Sequence, residues 1–278
     1  MRILALDGGG MCGIVTLRIL SLLQRDYEEF DIIAGTSTGG IIAAGLAVGL
    51  TTDELRSKYY SMGEKVFYRS LWERIVNVFG INKPMYNIHN LKELLYNTFR
   101  KRIMGYLDPE VVLPVYSLYQ GRCVDLSTAF TPDALLYKSV ASTCAAPWYF
   151  SGYNGFVDGG VAAPNPSMRA IRYALRKGAN MKDIELTSIG TGRAELPIKD
   201  NKHAGGAEWA FEIAPMMISS MVEEAHQTCK TLPLADYVRY DIDLPTELSD
   251  MTDAQKETMD AREYLVDTAY SKALLEWE

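Results

Sequence analysis

The chain has 278 residues, 48% hydrophobic and 23% charged, an ordinary globular composition in which a single sizeable core is feasible. Its formal net charge of −7, with no basic block, makes nucleic acid a poor partner and gives no general attraction to anionic membranes.

Read in chain order, "RILAL" (2–6) is a short apolar run closed by Asp7 and three glycines, which predicts a buried strand. "GIVTLRILSLLQRDY" predicts a helix packed on a sheet, "DIIAG" a second buried strand, and "GGIIAAGLAVGL" a helix buried almost all round. A strand, helix, strand, helix opening points to an α/β fold with a parallel sheet. The stretch from Thr52 to about Arg102 reads as mostly helical, broken at Gly80 and Pro84. "VVLPVYSLYQG" and "RCVDLST" read as two strands, "PDALLYKSVASTCAAP" as a helix running to Pro147, and "NGFVDGG" as a short strand entering a glycine turn. "SMRAIRYALRKG" is an amphipathic helix with Gly178 as its stop. "DIELTSIGTG" is another strand-to-glycine turn, and "YVRYDIDL" alternates like an outer strand. The C-terminal stretch opens with a capping box at Thr252 and Gln255 and predicts one or two closing helices. No repeat, low-complexity tract or linker divides the chain, so residues 1–278 are expected to form one domain.

Four cysteines, Cys12, Cys123, Cys144 and Cys229, form no C-x-x-C pair and have no histidine at ligand spacing, so a zinc site is not expected. The N-terminus has no signal-peptide pattern and no stretch approaches a membrane span. The expectation is a soluble protein of a reducing cytoplasm.

"GTSTG" (35–39) has the Gly-x-Ser-x-Gly spacing. Gly35 and Gly39 let the backbone turn tightly beneath Ser37, which then projects from the turn, and the following helix aims its positive end at the reacting centre. The alternative is a structural serine that caps the helix. Acyl transfer also needs N–H groups aimed at a developing oxyanion. "DGGGMCG" (7–13), with Gly8, Gly9 and Gly10, supplies such a loop at the end of the first strand. The same letters give a rival reading, because Gly8, Gly10 and Gly13 spell the dinucleotide G-x-G-x-x-G. That fingerprint wants an acid at the far end of the next strand, whereas Asp31 stands at its start.

A base must take the serine proton. None of the three histidines, His89, His203 and His226, falls in a strand-end turn. Asp158 does, followed by Gly159 and Gly160. A carboxylate near its ordinary pKa of about 4 is a weak base in water, yet in a dry site within reach of a serine it accepts the proton. Asp7 is expected to brace the glycine loop by accepting backbone N–H bonds.

Together these residues resemble the patatin-like phospholipase family. "DGGGMCG" resembles its oxyanion loop, "GTSTGG" its nucleophile elbow and "DGG" (158–160) its aspartate turn. "STCAAPWYF" (142–150) resembles the segment leading to that aspartate, and "SIGTG" (188–192) a further strand-end turn. The matches run in the family's order from residue 3 to about 192; the C-terminal part, about 193–278, matches its motifs poorly. The resemblance implies a three-layer α/β/α sandwich with a mainly parallel central sheet, and hydrolysis of lipid esters by a Ser-Asp dyad through an acyl-enzyme. Carried over, Ser37 is the nucleophile, Asp158 the general base and the N–H groups of Gly8 to Gly10 the oxyanion hole. No metal or organic cofactor is implied. Cys12 stands where many members carry a basic residue. Some bacterial members are effectors that degrade membranes when a nucleotide signal arrives.

The expected function is a phospholipase A type hydrolase acting on membrane phospholipid. The alternatives are an esterase or acyltransferase on soluble acyl esters, a dinucleotide-binding module, and a binding-only protein with an idle site. Two stretches are candidates for lipid contact. "EKVFYRSLWERIVNVFGINK" (64–83) mixes aromatic and basic residues and suits either peripheral docking or a core helix with a basic edge. "APMMISSM" (214–221) suits an adaptable acyl pocket or, more ordinarily, core packing.

Overall fold

The first strand, β1 (Arg2–Leu6), buries its last four side chains. They alternate between faces, as a pleated strand requires. Leu4 and Leu6 enter one hydrophobic core, while Ile3 and Ala5 enter a second. The sheet is therefore covered on both sides, which is why its strands read as continuous apolar runs. The computed structural model describes residues 1–24, 27–67, 83–194 and 206–275.

The other strands of this sheet are β2 (Ile32–Gly35), β3 (Glu110–Ser117), β4 (Arg122–Ser127), β5 (Phe156–Asp158), β6 (Glu185–Ile189) and β8 (Asp236–Tyr240). Their spatial order is β4-β3-β2-β1-β6-β8, with β5 pairing on β3. From β3 to β8 every neighbouring pair is parallel, and only β4 and β5 run antiparallel. A small separate sheet joins β7 (Arg193–Ala194) to β9 (Asp243–Leu244).

On one face pack α1 (Gly13–Leu23), α2 (Thr38–Ala47), α3 (Thr52–Val66), α4 (Ile88–Phe99), α5 (Leu136–Thr143) and α8 (Lys256–Leu275). On the other lie α6 (Ser167–Arg176) and the C-terminal end of α7 (Gly206–Thr231). The result is the expected three-layer α/β/α arrangement. Because Leu6 lies beside both Gly35 and Ile189, the turns after β1, β2 and β6 leave the sheet at the same end. Asp158 pairs with Val115 near the C-terminal end of β3 and joins them there.

Local details depart from the sequence expectation. The helix expected to run to Pro147 ends at Thr143. The backbone beyond it has other work, since the Ala145 carbonyl accepts the Asp158 N–H at 3.0 Å. The capping box at Thr252 and Gln255 does not form. Asp253 accepts the Gln255 N–H at 2.9 Å and Asp250 accepts the Thr252 N–H at 2.9 Å, so nearby carboxylates take the N–H groups first. Of the stretch 64–83, residues 68–82 lie outside the described residues. Phe67 packs edge-on against Tyr86, with ring centroids 5.1 Å apart. Among the described residues no helix is long and apolar enough to cross a membrane.

The second helical layer is tied to the sheet by charge as well as by packing. Asp125 on β4, its side chain 5% exposed, accepts from Arg169 at 2.7 Å and Arg172 at 2.9 Å, both on α6. Asp125→Ala leaves the Arg169 guanidinium, 13% exposed, without its counter-charge. The expected loss is about 2–3 kcal/mol. It should appear in urea unfolding as a lower midpoint with an unchanged slope. An unchanged midpoint would show that α6 is held by apolar packing alone.

Candidate active site

β2 ends at Gly35, and two residues later Ser37 takes φ 53° and ψ −120°. A residue with a Cβ rarely occupies that region, and it persists only where its surroundings over-determine it. Here they do. The Ser37 N–H donates to the Thr143 hydroxyl at 3.1 Å, and that hydroxyl donates to the Pro114 carbonyl at 2.6 Å. The Cys144 thiol donates to the Ser37 carbonyl at 3.1 Å. Below the turn, a Cβ on Gly39 would stand 2.2 Å from the Leu6 carbonyl oxygen, so α2 starts this close to β1 only with glycine there. Ser37 occupies the N-cap position of α2, but its side chain makes no cap bond. The helix-capping alternative is therefore not what this hydroxyl does.

The Ser37 hydroxyl lies within interaction range of the Asp158 carboxylate and favours its charged form. Asp158 is the last residue of β5 and only 4% exposed. Its Oδ1 also accepts the Gly160 N–H at 2.7 Å. Burial pushes this carboxyl up to about 6, and the Ser37 hydroxyl and the Gly160 N–H limit the rise. A serine hydroxyl thus faces a carboxylate poised near neutrality in a dry place.

The segment after Asp158 fastens the elbow to the glycine loop. The Ala163 carbonyl accepts the Thr36 hydroxyl at 2.7 Å, and the next carbonyl, Pro164, accepts the Gly8 N–H at 2.9 Å. That second bond narrows the oxyanion expectation, because the Gly8 N–H is already engaged. Met11 and Cys12 also spend their N–H groups, on the carbonyls of Met251 and Gly9 at 2.8 and 3.1 Å. Among the described residues, the N–H groups of Gly9 and Gly10 have no partner. Thr191, from the turn after β6, donates to the Gly8 carbonyl at 3.0 Å and holds the loop from the other side.

Asp7 does not brace this loop through backbone N–H bonds. Its Oδ2 accepts from Arg239 of β8 at 2.7 Å, while its Oδ1 is buried without a partner among the described residues. Arg239, its side chain 8% exposed, also donates to Asp241 at 2.8 Å and to the Ser188 hydroxyl at 2.8 Å. Burial drives the Asp7 carboxyl upward and the guanidinium opposes it. The correction has a simple cause: the parallel strand β8 places a cation at the end of β1, and an ion pair forms in preference. A second arginine works further out. Arg262 of α8, fully buried, donates to the carbonyls of Leu248, Asp250 and Asp253 at 2.9, 2.6 and 2.9 Å. It thereby shapes the segment whose Met251 carbonyl holds Met11. The cationic influence at Cys12 also comes from Arg262, against the larger effect of burial, which pushes that thiol up to about 11. Arg239 and Arg262 were not singled out from sequence. Arg239 had a signal, as a basic residue inside an alternating strand; Arg262 had none.

The histidines lie elsewhere. His89 sits exposed in the first turn of α4. His226 on α7 bonds to the Tyr237 hydroxyl at 2.8 Å, not to Ser37 or Asp158. His203 lies outside the described residues. The dinucleotide reading loses its acid as well, since the Asp31 carboxylate accepts the Arg2 N–H at 2.7 Å at the start of β2. Among the described residues no three His, Cys, Asp or Glu side chains gather to hold a metal ion.

The sequence matches the family model Patatin-like phospholipase over residues 4–171. It is 30% identical over 223 residues to a cGAMP-activated phospholipase of Escherichia coli (strain TW11681), covering 69% of this chain and 62% of that protein. It is 27% identical over 279 residues to a protein of the same name from Vibrio cholerae, covering 87% and 79%. It is 30% identical over 231 residues to the 85/88 kDa calcium-independent phospholipase A2 of Rattus norvegicus, covering 71% and 28%. The chain thus spans about three-fifths of the E. coli relative and less than a third of the rat protein.

The carboxyl environment is directly testable. With carbon-13 labelled aspartate, Asp158 should titrate near 6. Because the Ser37 hydroxyl is one of the groups that lower this value, Ser37→Ala should move it up, not down. A downward move would mean that the hydroxyl does not donate to this carboxylate.

Proposed function

The chain belongs to the patatin-like phospholipase family, and from that premise we propose that it is a serine lipid acyl hydrolase of phospholipase A type working through a Ser-Asp dyad. One observation carries the reading. The hydroxyl of a serine held on a strained elbow interacts with a buried carboxylate and caps nothing. Ser37 Oγ attacks the ester carbonyl as Asp158 takes its proton. The carbonyl oxygen, now negative, is met by the N–H groups of Gly9 and Gly10 at the end of β1 and by the N-terminal end of α2. Collapse returns the proton from Asp158 to the departing alcohol and leaves an acyl-Ser37. Water, its proton taken by Asp158, then attacks the acyl carbon; collapse breaks the bond to Ser37 Oγ, which takes the proton back from Asp158 as the fatty acid leaves.

Burial serves this chemistry in two ways. It raises Asp158 to a pKa at which a proton is worth accepting, and it removes water that would weaken the interaction with the serine. A role as a bacterial membrane-degrading effector is the cellular extension of the reading. Its support is the likeness to two bacterial phospholipases whose names include activation by cGAMP.

The test is kinetic. Asp158→Asn keeps the size and removes the charge, so hydrolysis of a short ester should fall on the order of a hundredfold or more in a folded protein. In the unsubstituted enzyme the base must be ionised. The sign follows: kcat/KM should be level above the Asp158 pKa of about 6 and fall as pH drops below it. His89→Ala and His226→Ala should stay within about tenfold of full activity, or ~1.4 kcal/mol of barrier. A folded histidine variant that loses on the order of a thousandfold, beside an active Asp158→Asn, would overturn the dyad.

A further inference from the structure

The helix α7 is 26 residues long, about 39 Å at a rise of about 1.5 Å per residue. The strands it connects are short: β6 and β8 have 5 residues each, or about 17 Å. A helix that links two parallel strands runs antiparallel to them, so its N-terminal end lies toward the C-terminal ends of the strands. The C-terminal part of α7 is anchored on β8 and α6. His226 meets Tyr237, and the Cys229 thiol meets the Met168 sulfur at 3.7 Å. By Glu223 the helix has climbed within electrostatic reach of Arg193 and Arg239, past the end of β6. Everything before Glu223, about 25 Å of helix, therefore projects beyond the sheet on the side where Ser37 and Asp158 lie.

The described side chains of this projecting piece are mostly apolar and uncovered. From Trp209 to Met221 the sequence is "WAFEIAPMMISSM", with Glu212 its only charged residue and no lysine or arginine. Ile213 is 51% exposed and Met217, one turn on, 55%. Trp209 and Met216 are exposed too, and no side chain from Ile213 to Thr228 is buried. "APMMISSM" is thus not core packing. An apolar helix face is normally buried in protein or in lipid; the described part of this one stands in the open. Val161, in the turn after Asp158, is also 40% exposed.

We propose that the projecting half of α7 is the docking element by which the protein enters an uncharged or zwitterionic phospholipid surface, delivering the Ser37 end of the sheet to the ester bonds of that surface. The substrate side of this inference rests on the hydrolase reading above. Two observations select the occupant. The element stands at the end of the sheet that carries the serine. It also offers apolar area with no cation, so its attraction is by burial and not by charge. A basic surface would favour anionic lipid; this one does not.

The experiment uses the full chain and vesicles of phosphatidylcholine, alone or mixed with phosphatidylglycerol, with a soluble short-chain ester assayed in parallel. The variant is Ile213→Ser with Met217→Ser. Both positions are exposed, so the melting temperature should hold. Co-sedimentation with phosphatidylcholine vesicles should weaken about tenfold or more, since two apolar side chains no longer enter the bilayer boundary. Soluble ester hydrolysis should not change. Binding of the unsubstituted protein should be insensitive to salt between about 0.05 and 0.5 M. It should also gain nothing from phosphatidylglycerol. Vesicle binding that survives the double substitution overturns the proposal, as does binding that requires phosphatidylglycerol. If the unsubstituted protein sediments as a dimer, and the variant as a monomer with unchanged vesicle binding, the occupant is a second copy and the proposal is wrong. A variant that loses vesicle binding and ester hydrolysis together, with a lowered melting temperature, makes the stripe structural and also overturns it. If the unsubstituted protein binds vesicles through this element but hydrolyses no ester, the hydrolase reading fails while the docking surface stands.

Discussion

Ser37 carries a Cβ in a backbone conformation that disfavours one, and the rest of the site is arranged around keeping it there. A residue in such a region costs about 1–3 kcal/mol. The chain offsets it with bonds from several elements: the Thr143 hydroxyl on the N–H, the Cys144 thiol on the carbonyl, and the first turn of α2 on the same carbonyl through Gly40 and Ile41. The early end of α5 follows from this. Had that helix continued through Cys144 and Ala145, the Ala145 carbonyl would have been drawn into it and lost to Asp158. One short segment, 143–145, thus fixes both members of the proposed dyad, although they stand on different strands.

The glycine loop proposed as the oxyanion hole is held by subtraction. Its other N–H groups have partners: Gly8 has Pro164, Met11 has Met251 and Cys12 has Gly9. What remains is the pair at Gly9 and Gly10. The partners come from distant parts of the chain, and two buried arginines organise them. Arg239 anchors the aspartate at the foot of the loop, and Arg262 shapes the segment that covers it. Gly10 itself, at φ 57°, lies so near the Met251 carbonyl that a Cβ would stand 2.3 Å from it. The loop and its cover are fitted to each other at backbone level.

What could be read from sequence follows the range of the interactions. The apolar runs of β1 and β2, the glycines around Ser37 and the acid-glycine turn at Asp158 are local signals, because each turn needs particular residues within a few positions. The parallel sheet followed from their order. The commitment of the Gly8 N–H to Pro164 and the Asp7–Arg239 pair were not legible, since both join residues far apart in sequence. The C-terminal part, which carries no family motif, nevertheless supplies the edge strand β8 and both buried arginines. "APMMISSM" misled for a different reason. Methionine and isoleucine in a helix signal an apolar environment, but nothing in their spacing says whether protein provides it.

The central claim is that Ser37 is the nucleophile, activated by Asp158 without a histidine. A fluorophosphonate probe followed by peptide mass spectrometry tests it most directly. The account predicts a single adduct, on the peptide that contains Ser37, absent from a folded Ser37→Ala protein and still formed in His89→Ala and His226→Ala. An adduct on any other residue, or labelling that persists undiminished in folded Ser37→Ala, would contradict it.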